Sequence, residues 1–317
     1  MSDLELRGSR LVGFGHFQPE RVLTNDELAT MVETSDEWIR SRTGIRERHI
    51  IGPDDSVSSM AVAAARAAMD DAGVTQVDLV VLASTTAVDR SPNTAGRVVA
   101  ELGLDGAAAI DVNTACSGFE YALGLADQSI RLGTATTALV IGSEALSTIT
   151  DWTDRSTCVL TADGAGAVVV SSAPVARISP VVWGTVPGLT DAVRVTGDPQ
   201  RFSQDGRQIM RWALKDAVGV ANRILDTAGV TLEDIDVLAF HQANLRIIEP
   251  LCKGLGVTDR QIVIHDIEVS GNTSAASVPL GLSKAWHRGE LPRGGRALLF
   301  GFGGGFAYAG QVVHLPE

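Results

Sequence analysis

Hydrophobic positions along this chain fall into two alternating signatures. Short apolar runs end in turn residues, and longer stretches repeat apolar residues every third or fourth position. Arg10–Phe17 alternates as a first strand and stops at Pro19. Thr24 or Asn25 caps a helix, TNDELATMVE, and Ser35-Asp36-Glu37 starts another that carries Trp38. Ser58–Ala72 predicts an amphipathic helix and Asp78–Ser84 an apolar strand. Ala107–Val112 reads as a buried strand broken by Asn113 and Thr114, and beyond Cys116 the spacing of Phe119, Ala122, Leu123, Ala126 and Ile130 predicts a helix burying one face. Further strands are expected at Ala138–Gly142, Gly164–Val170, Val237–Phe240, Gln261–Ile267 and Ala297–Phe300, with a helix over Ala275–Trp286.

One pattern occurs twice. Asp70–Ala83 (DDAGVTQVDLVVLA) and Asp226–Ala239 (DTAGVTLEDIDVLA) share nine of fourteen positions without a gap, at an offset of 156 residues. In both, a helix ends at Gly and a turn leads into a strand. This is an internal duplication of an α/β unit, which divides the chain into halves 1–171 and 172–317. In this register the turn at Ser270–Ser274 corresponds to the turn that holds Cys116. Three reactive or glycine-rich turns then lie at strand ends, where open α/β sheets bind ligands: Cys116, His241 in HQANLRII, and GFGGGF at Gly301–Phe306.

Composition narrows the class. The 317 residues are 45% hydrophobic, enough for a large core, and the formal net charge is -12. An acidic chain lacks the electrostatic footprint of a nucleic-acid or anionic-membrane binder, and no apolar run approaches the ~20 residues of a membrane span. The N-terminus has neither the basic start nor the apolar core of a signal peptide. Cys116, Cys158 and Cys252 form neither a disulfide framework nor a metal-spaced cluster, so a cytoplasmic protein with reduced thiols and no metal is expected. The densest basic run, Arg40–Ile50, reads as a solvated face.

Cys116 sits where a strand turns into a helix, near the positive end of the helix dipole, a position expected to lower a thiol pKa. On that stretch alone two readings stand, a nucleophile and a small buried hydrophobe. Cys, His and Asn are a recurring set for acyl transfer: nucleophile, imidazole and amide donor. Here Cys116, His241 and Asn272 occupy comparable turns of a duplicated scaffold, and Gly303-Gly304-Gly305 adds backbone N–H groups that can approach a ligand. Cys158 and Cys252 lie in apolar patterns and read as packing residues.

Taken together, TSDEWIRSRTGIRERHI, DVNTACSGFEYAL, DGAGAVVV, HQANLRII, GNTSAASVPL and GFGGGF resemble, in order and over essentially the whole chain, the ketoacyl-acyl-carrier-protein synthase III family. The resemblance implies a thiolase-like fold, two duplicated α/β halves in a layered αβαβα arrangement. It implies a homodimer without cofactor, acting on acyl-CoA and malonyl-acyl carrier protein. Cys116 would be acylated, and His241 and Asn272 would stabilise the enolate formed as CO2 departs. The N–H groups of Cys116 and Gly304 would form the oxyanion hole. Phe302 would shield the site, Trp38 and Arg155 would sandwich the CoA adenine, and Arg42 would lie near the CoA phosphates. Arg211, Arg246 and Lys253 match part of a docking patch for the carrier protein.

Three departures mark this chain. Ser91 stands where many relatives place a bulky aromatic that closes the acyl pocket of the partner subunit, so a longer or branched primer is expected. Glu249, Pro250 and Gly254 dilute the basic patch, and Trp183–Phe202, which borders the tunnel in this family, is short. A role in starting a specialised polyketide is therefore open alongside fatty-acid initiation. The competing reactions are plain acyl transfer from Cys116 to another nucleophile and an aldol reaction of the hydroxymethylglutaryl-CoA synthase type, which needs a carboxylate partner that no equivalent motif supplies. A non-catalytic partner subunit would have no use for Cys116.

Overall fold

The computed structural model describes residues 7–317. Two five-stranded sheets carry the architecture. The first runs, in spatial order, Gly8–Phe17, Asp163–Ala173, Thr137–Ala145, Leu79–Ala83 and Ala108–Val112. The second runs Val182–Thr185, Ala307–His314, Arg296–Gly303, Val237–Phe240 and Ile262–Val263. Both follow the same chain order, with two antiparallel pairings followed by two parallel ones.

Helices Gly118–Arg131 and Ser277–His287 lie between the sheets and touch strands of both. Val57–Ala72 and Thr94–Leu102 cover the outer face of the first sheet. Ala217–Ala228 covers that of the second, packed in turn against Gly206–Lys215 and Leu245–Leu255. The result is the expected αβαβα layering. The face predicted for the helix after Cys116 is the one that is buried, with Phe119, Ala122, Leu123, Ala126 and Ile130 in the central core. Cys158 is fully buried in an outer core and Cys252 packs against it.

The duplicated window ends its helix in the same way twice. Gly73 (φ 66°) donates to Asp70 O and Val74 to Met69 O, while Gly229 (φ 68°) donates to Asp226 O and Val230 to Leu225 O. These are left-handed helix ends that satisfy the last carbonyls.

Four expectations fail locally. Ala108–Val112, expected as a buried strand, is an edge strand whose residues are exposed or half-buried, since no further strand covers it. The strand predicted over Gln261–Ile267 is only Ile262–Val263. The chain turns into a short helix, Ile267–Ser270, where Lys284 holds Asp266 at 2.8 Å and Gln242 Oε1 accepts the Ile267 N–H. The helix expected over TNDELATMVE stops at Leu28, where the Thr30 hydroxyl donates to Glu27 O and competes with the helical ladder. Within the basic run, Arg48 is fully buried, donating to Leu23 O, Asn25 Oδ1 and Val159 O.

A Cβ on Gly229 would meet nothing within 4 Å, so Gly229→Ala carries only the backbone penalty of a left-handed residue. It should lower unfolding stability by about 1 kcal/mol, seen as a lower urea midpoint with unchanged slope.

Candidate active site

The Cys116 turn and its duplicate are built alike. Asn113 Oδ1 accepts the Ala115 N–H at 3.3 Å, and Asn272 Oδ1 accepts the Ser274 N–H at 2.9 Å. Ala115 and Ser274 are the only described non-glycine residues with positive φ, at 47° and 49°. Each opens a 3-10 turn, Ala115–Ser117 and Ser274–Ala276, that leads into a central helix. The two turns touch one another. They open on a cavity of roughly 400 Å³ lined by Cys116, Asn272, Ser274 and Gly304, with Asn113 and Thr85 on one wall and Leu146, Val193 and Phe202 among its apolar residues. A Cβ on Gly303 would lie 2.7 Å from Cys116 Sγ, which is why strand Arg296–Gly303 must pass the thiol as glycine.

Cys116 is half-buried, and the Ser274 side chain and the N–H groups of Gly304 and of Cys116 itself act to favour its thiolate. Its pKa is not lowered. Burial, reinforced by the Glu144 carboxylate, pushes it up to about 11. The helix proper starts only at Gly118, and the donors offset desolvation only in part. Glu144, a carboxylate that the sequence patterns did not flag, is itself buried. It accepts from Thr86 Oγ1 (2.6 Å), Thr86 N, Thr85 N and Ser84 Oγ (3.1–3.2 Å). Burial raises its pKa too.

His241 follows strand Val237–Phe240 and is held by its backbone N–H on Phe300 O. Ser277 Oγ lies 2.8 Å from its Nδ1 and accepts the Gln242 N–H at 3.3 Å. The Ser277 hydroxyl has no other acceptor among the described residues, so its proton is assigned to Nδ1 and the imidazole proton to Nε2. Burial drives its pKa down to about 3, so the ring is neutral. Phe302 is fully buried and stands edge-on to this ring at 6.1 Å. Ser277, like Glu144 and Ser274, was not anticipated. A polar side chain in a buried network carries no periodic signal.

The remaining expected residues separate into two groups. Arg155 stacks over Trp38 at 4.9 Å and donates to Glu33 O. Arg42 is exposed one helical turn beyond Trp38. Arg211, Arg246 and Lys253 are exposed on the two mutually packed helices Gly206–Lys215 and Leu245–Leu255. None of these five cations pairs with a carboxylate among the described residues. Ser91 lies exposed in a loop outside the Cys116 cavity of its own chain.

A sharp strand-to-helix cysteine between two duplicated sheets, facing a pinned amide and a glycine-rich strand, defines a thiolase-like acyl-transferring enzyme. The family model for 3-oxoacyl-[acyl-carrier-protein] synthase III matches residues 110–187, and its C-terminal model matches 225–315. The chain is 52% identical over 315 residues to beta-ketoacyl-[acyl-carrier-protein] synthase III 4 of Streptomyces coelicolor, covering 98% of this chain and 99% of that protein. Its fold is similar to the priming beta-ketosynthase of the R1128 polyketide pathway (TM-score 0.97, 38% identity, 100% and 99% of the two chains). It is also similar to the 3-oxoacyl-(acyl carrier protein) synthase III of Pseudomonas aeruginosa PAO1 (TM-score 0.92, 38% identity, 98% and 99%). The chain belongs to the beta-ketoacyl-acyl-carrier-protein synthase III family of condensing enzymes.

Because the Glu144 charge raises the thiol pKa, Glu144→Gln should lower it. Iodoacetamide alkylation of Cys116 at pH 7 should speed up several-fold, with the midpoint of the rate–pH profile moved to lower pH. An unchanged profile would show that the carboxylate does not act on the thiol.

Proposed function

We propose that this chain catalyses decarboxylating condensation. Cys116 takes the acyl group of an acyl-CoA and passes it to the carbanion of malonyl-acyl carrier protein, giving the 3-ketoacyl-acyl carrier protein that starts a fatty-acid or polyketide chain. The observation that carries this is the single cavity lined by Cys116, Gly304 and Asn272, whose amide oxygen is pinned so that its NH2 end is free.

In the first step the thiol sulfur attacks the thioester carbonyl, CoA leaves, and the thiol proton ends on the departing CoA sulfur. The N–H groups of Cys116 and Gly304 stabilise the tetrahedral oxyanion. In the second step the malonyl C–C bond breaks and CO2 leaves. The His241 Nε2–H and the Asn272 amide hold the enolate oxygen, and the carbanion attacks the acyl-Cys carbonyl. Cys116 leaves as a thiolate and is reprotonated. A neutral imidazole suits this role, since it donates without needing a counter-charge. Phe302 keeps the surroundings apolar, which favours a neutral CO2 over the malonyl carboxylate. Thiol, imidazole, amide and backbone donors cover every step, so no cofactor is invoked.

Trp38 and Arg155 are assigned to the CoA adenine, their stacking favouring a flat ring, and Arg42 to the CoA phosphates. Arg211, Arg246 and Lys253, cations without acidic partners in a chain of net charge -12, are assigned to the acidic carrier protein. Strand Ala108–Val112 is an unpaired sheet edge with Ile110 44% exposed, which supports a homodimer formed along that edge. Such a dimer would carry Ser91 to the partner's acyl cavity.

Intact-protein mass spectrometry tests the assignment. Cys116→Ala should take up no acyl group. His241→Ala and Asn272→Ala should still be acylated but should lose condensation with malonyl-acyl carrier protein by about 100-fold or more. If the wild-type acyl-enzyme forms and malonyl-carrier protein never discharges it, plain acyl transfer replaces this reading.

A further inference from the structure

The proposed mechanism leaves one fully buried carboxyl group unused. Glu120 lies in the first turn of the central helix Gly118–Arg131, one turn after Cys116. Neither of its carboxyl oxygens has a hydrogen-bond partner among the described residues, and no cation pairs with it there. Asp127, two turns further along the same helix face, shows the contrast, since it holds Arg131 at 2.7 Å. Glu120 meets strands of the second sheet instead. The Gln311 side-chain N–H donates to Glu120 O at 3.2 Å, while the buried Gln311 Oε1 has no partner among the described residues. A Cβ on Gly301 would collide with Glu120 Oε2 and lie 3.0 Å from Cys116 O, so the carboxyl and the backbone of Cys116 crowd one spot beside that strand. An ionised carboxylate cannot donate, and it would leave three acceptor oxygens in the core without a donor. One proton on Glu120 supplies the donor. Burial holds its carboxyl well above the usual carboxylate range, although a helix N-terminus favours the charge.

We propose that Glu120 is a positioning residue, a neutral carboxylic acid that donates its O–H to Gln311 Oε1 and so clamps the Cys116 turn to the second sheet. The clamp has two bonds, Glu120 O–H to Gln311 Oε1 and Gln311 N–H to Glu120 O. They join helix Gly118–Arg131 of the first half to strand Ala307–His314 of the second. The two oxyanion donors are divided between the same halves. The Cys116 N–H lies one turn before Glu120, and Gly304 stands just ahead of the strand that carries Gln311. Their spacing is therefore set across the contact that Glu120 and Gln311 make. Neutrality matters as well, because a negative charge one turn from Cys116 would oppose the oxyanion. The inference rests on the oxyanion role proposed above for Cys116 and Gly304, and adds the residue that holds the two in register.

The test compares wild type, Glu120→Gln and Glu120→Met as full-length proteins. Glutamine keeps the size and can donate an N–H to Gln311 Oε1, whereas methionine keeps the length and donates nothing. Acylation of Cys116 by acetyl-CoA and isobutyryl-CoA is followed by time-resolved intact mass. Glu120→Met should lower the maximal acylation rate by about tenfold with half-saturation within about twofold of wild type, since a misplaced oxyanion donor weakens the transition state and not substrate binding. Glu120→Gln should restore the rate to within about threefold of wild type, because one donated hydrogen bond replaces another. The infrared difference spectrum, wild type minus Glu120→Gln at pH 7, should show the C=O stretch of a protonated carboxyl. A carboxylate band in its place overturns the proposal. So does Glu120→Met acylating at the wild-type rate, or Glu120→Gln as slow as Glu120→Met, because the donated hydrogen bond is then not what matters. The infrared measurement needs no acyl-CoA, and it decides the proposal even where Glu120→Met does not fold. A wild type that shows the protonated band and takes up neither acyl group overturns the proposed function and the positioning role with it, leaving only the neutral carboxyl.

Discussion

The site depends on two backbone turns in which a residue with a side chain is forced into the left-handed region. Ala115 and Ser274 hold φ values of 47° and 49°, each a cost of order 1–3 kcal/mol that only over-determined surroundings sustain. The determination is visible. Asn113 and Asn272 pin the N–H of each strained residue, and the two turns rest against each other. The reason for the strain is geometric. A strand must leave its sheet and re-enter as a helix packed between that sheet and the next, and a relaxed turn would not bring the chain round within that layer. The same tightness leaves no room for a Cβ at Gly303, whose strand passes the thiol in van der Waals contact.

Burial then decides the electrostatics. Desolvation holds the thiol protonated and the imidazole neutral, and no charged pair of the thiolate–imidazolium kind is stored at rest. In a poorly solvated pocket an isolated charge is expensive, so the resting groups are neutral and the donors are already aimed. In the proposed reaction, the charge that the chemistry creates, first an oxyanion and then an enolate, would be met by the Gly304 N–H, the Asn272 amide and the imidazole Nε2–H. Glu144 works in the same sense: its carboxylate opposes a free thiolate and leaves acyl transfer as the route by which the sulfur loses its proton.

Much of this was legible from local pattern. The change from a run of apolar residues to a three-and-four spacing around Cys116 located the nucleophile, and the repeated AGVT window, with glycine at a left-handed helix end, located the second half and its turn. What escaped was set by residues distant in sequence. The helix dipole predicted an acidic thiol because the rule sees neighbours along the chain, whereas the burial that raises the thiol pKa, and the Glu144 charge that adds to it, come from the packing of other strands. Arg48 looked like one more cation of a solvated face, and only the fold shows three oxygens gathered around it. Ser274 and Ser277 stand in a motif dense with small polar residues, where nothing local says which hydroxyl will face the thiol and which the imidazole.

Duplication with divergence accounts for how one cavity holds both chemistries. At equivalent places the first copy carries Asn113, Ala115 and Cys116, and the second carries Asn272, Ser274 and Ala275. A second thiol at position 275 would be buried between the turns, where the Ala275 Cβ already lies 3.4 Å from the place a Cβ on Gly118 would occupy. Small size is what that position requires. The amide, by contrast, is kept in both copies because it holds the turn, and its unused NH2 end is a by-product of that structural task. In the second copy the by-product lies in the Cys116 cavity, where the proposed reaction needs a donor for the thioester oxygen. In the first it lies in the exposed turn beside the Cys116 cavity, so one turn geometry presents an amide NH2 end in each half.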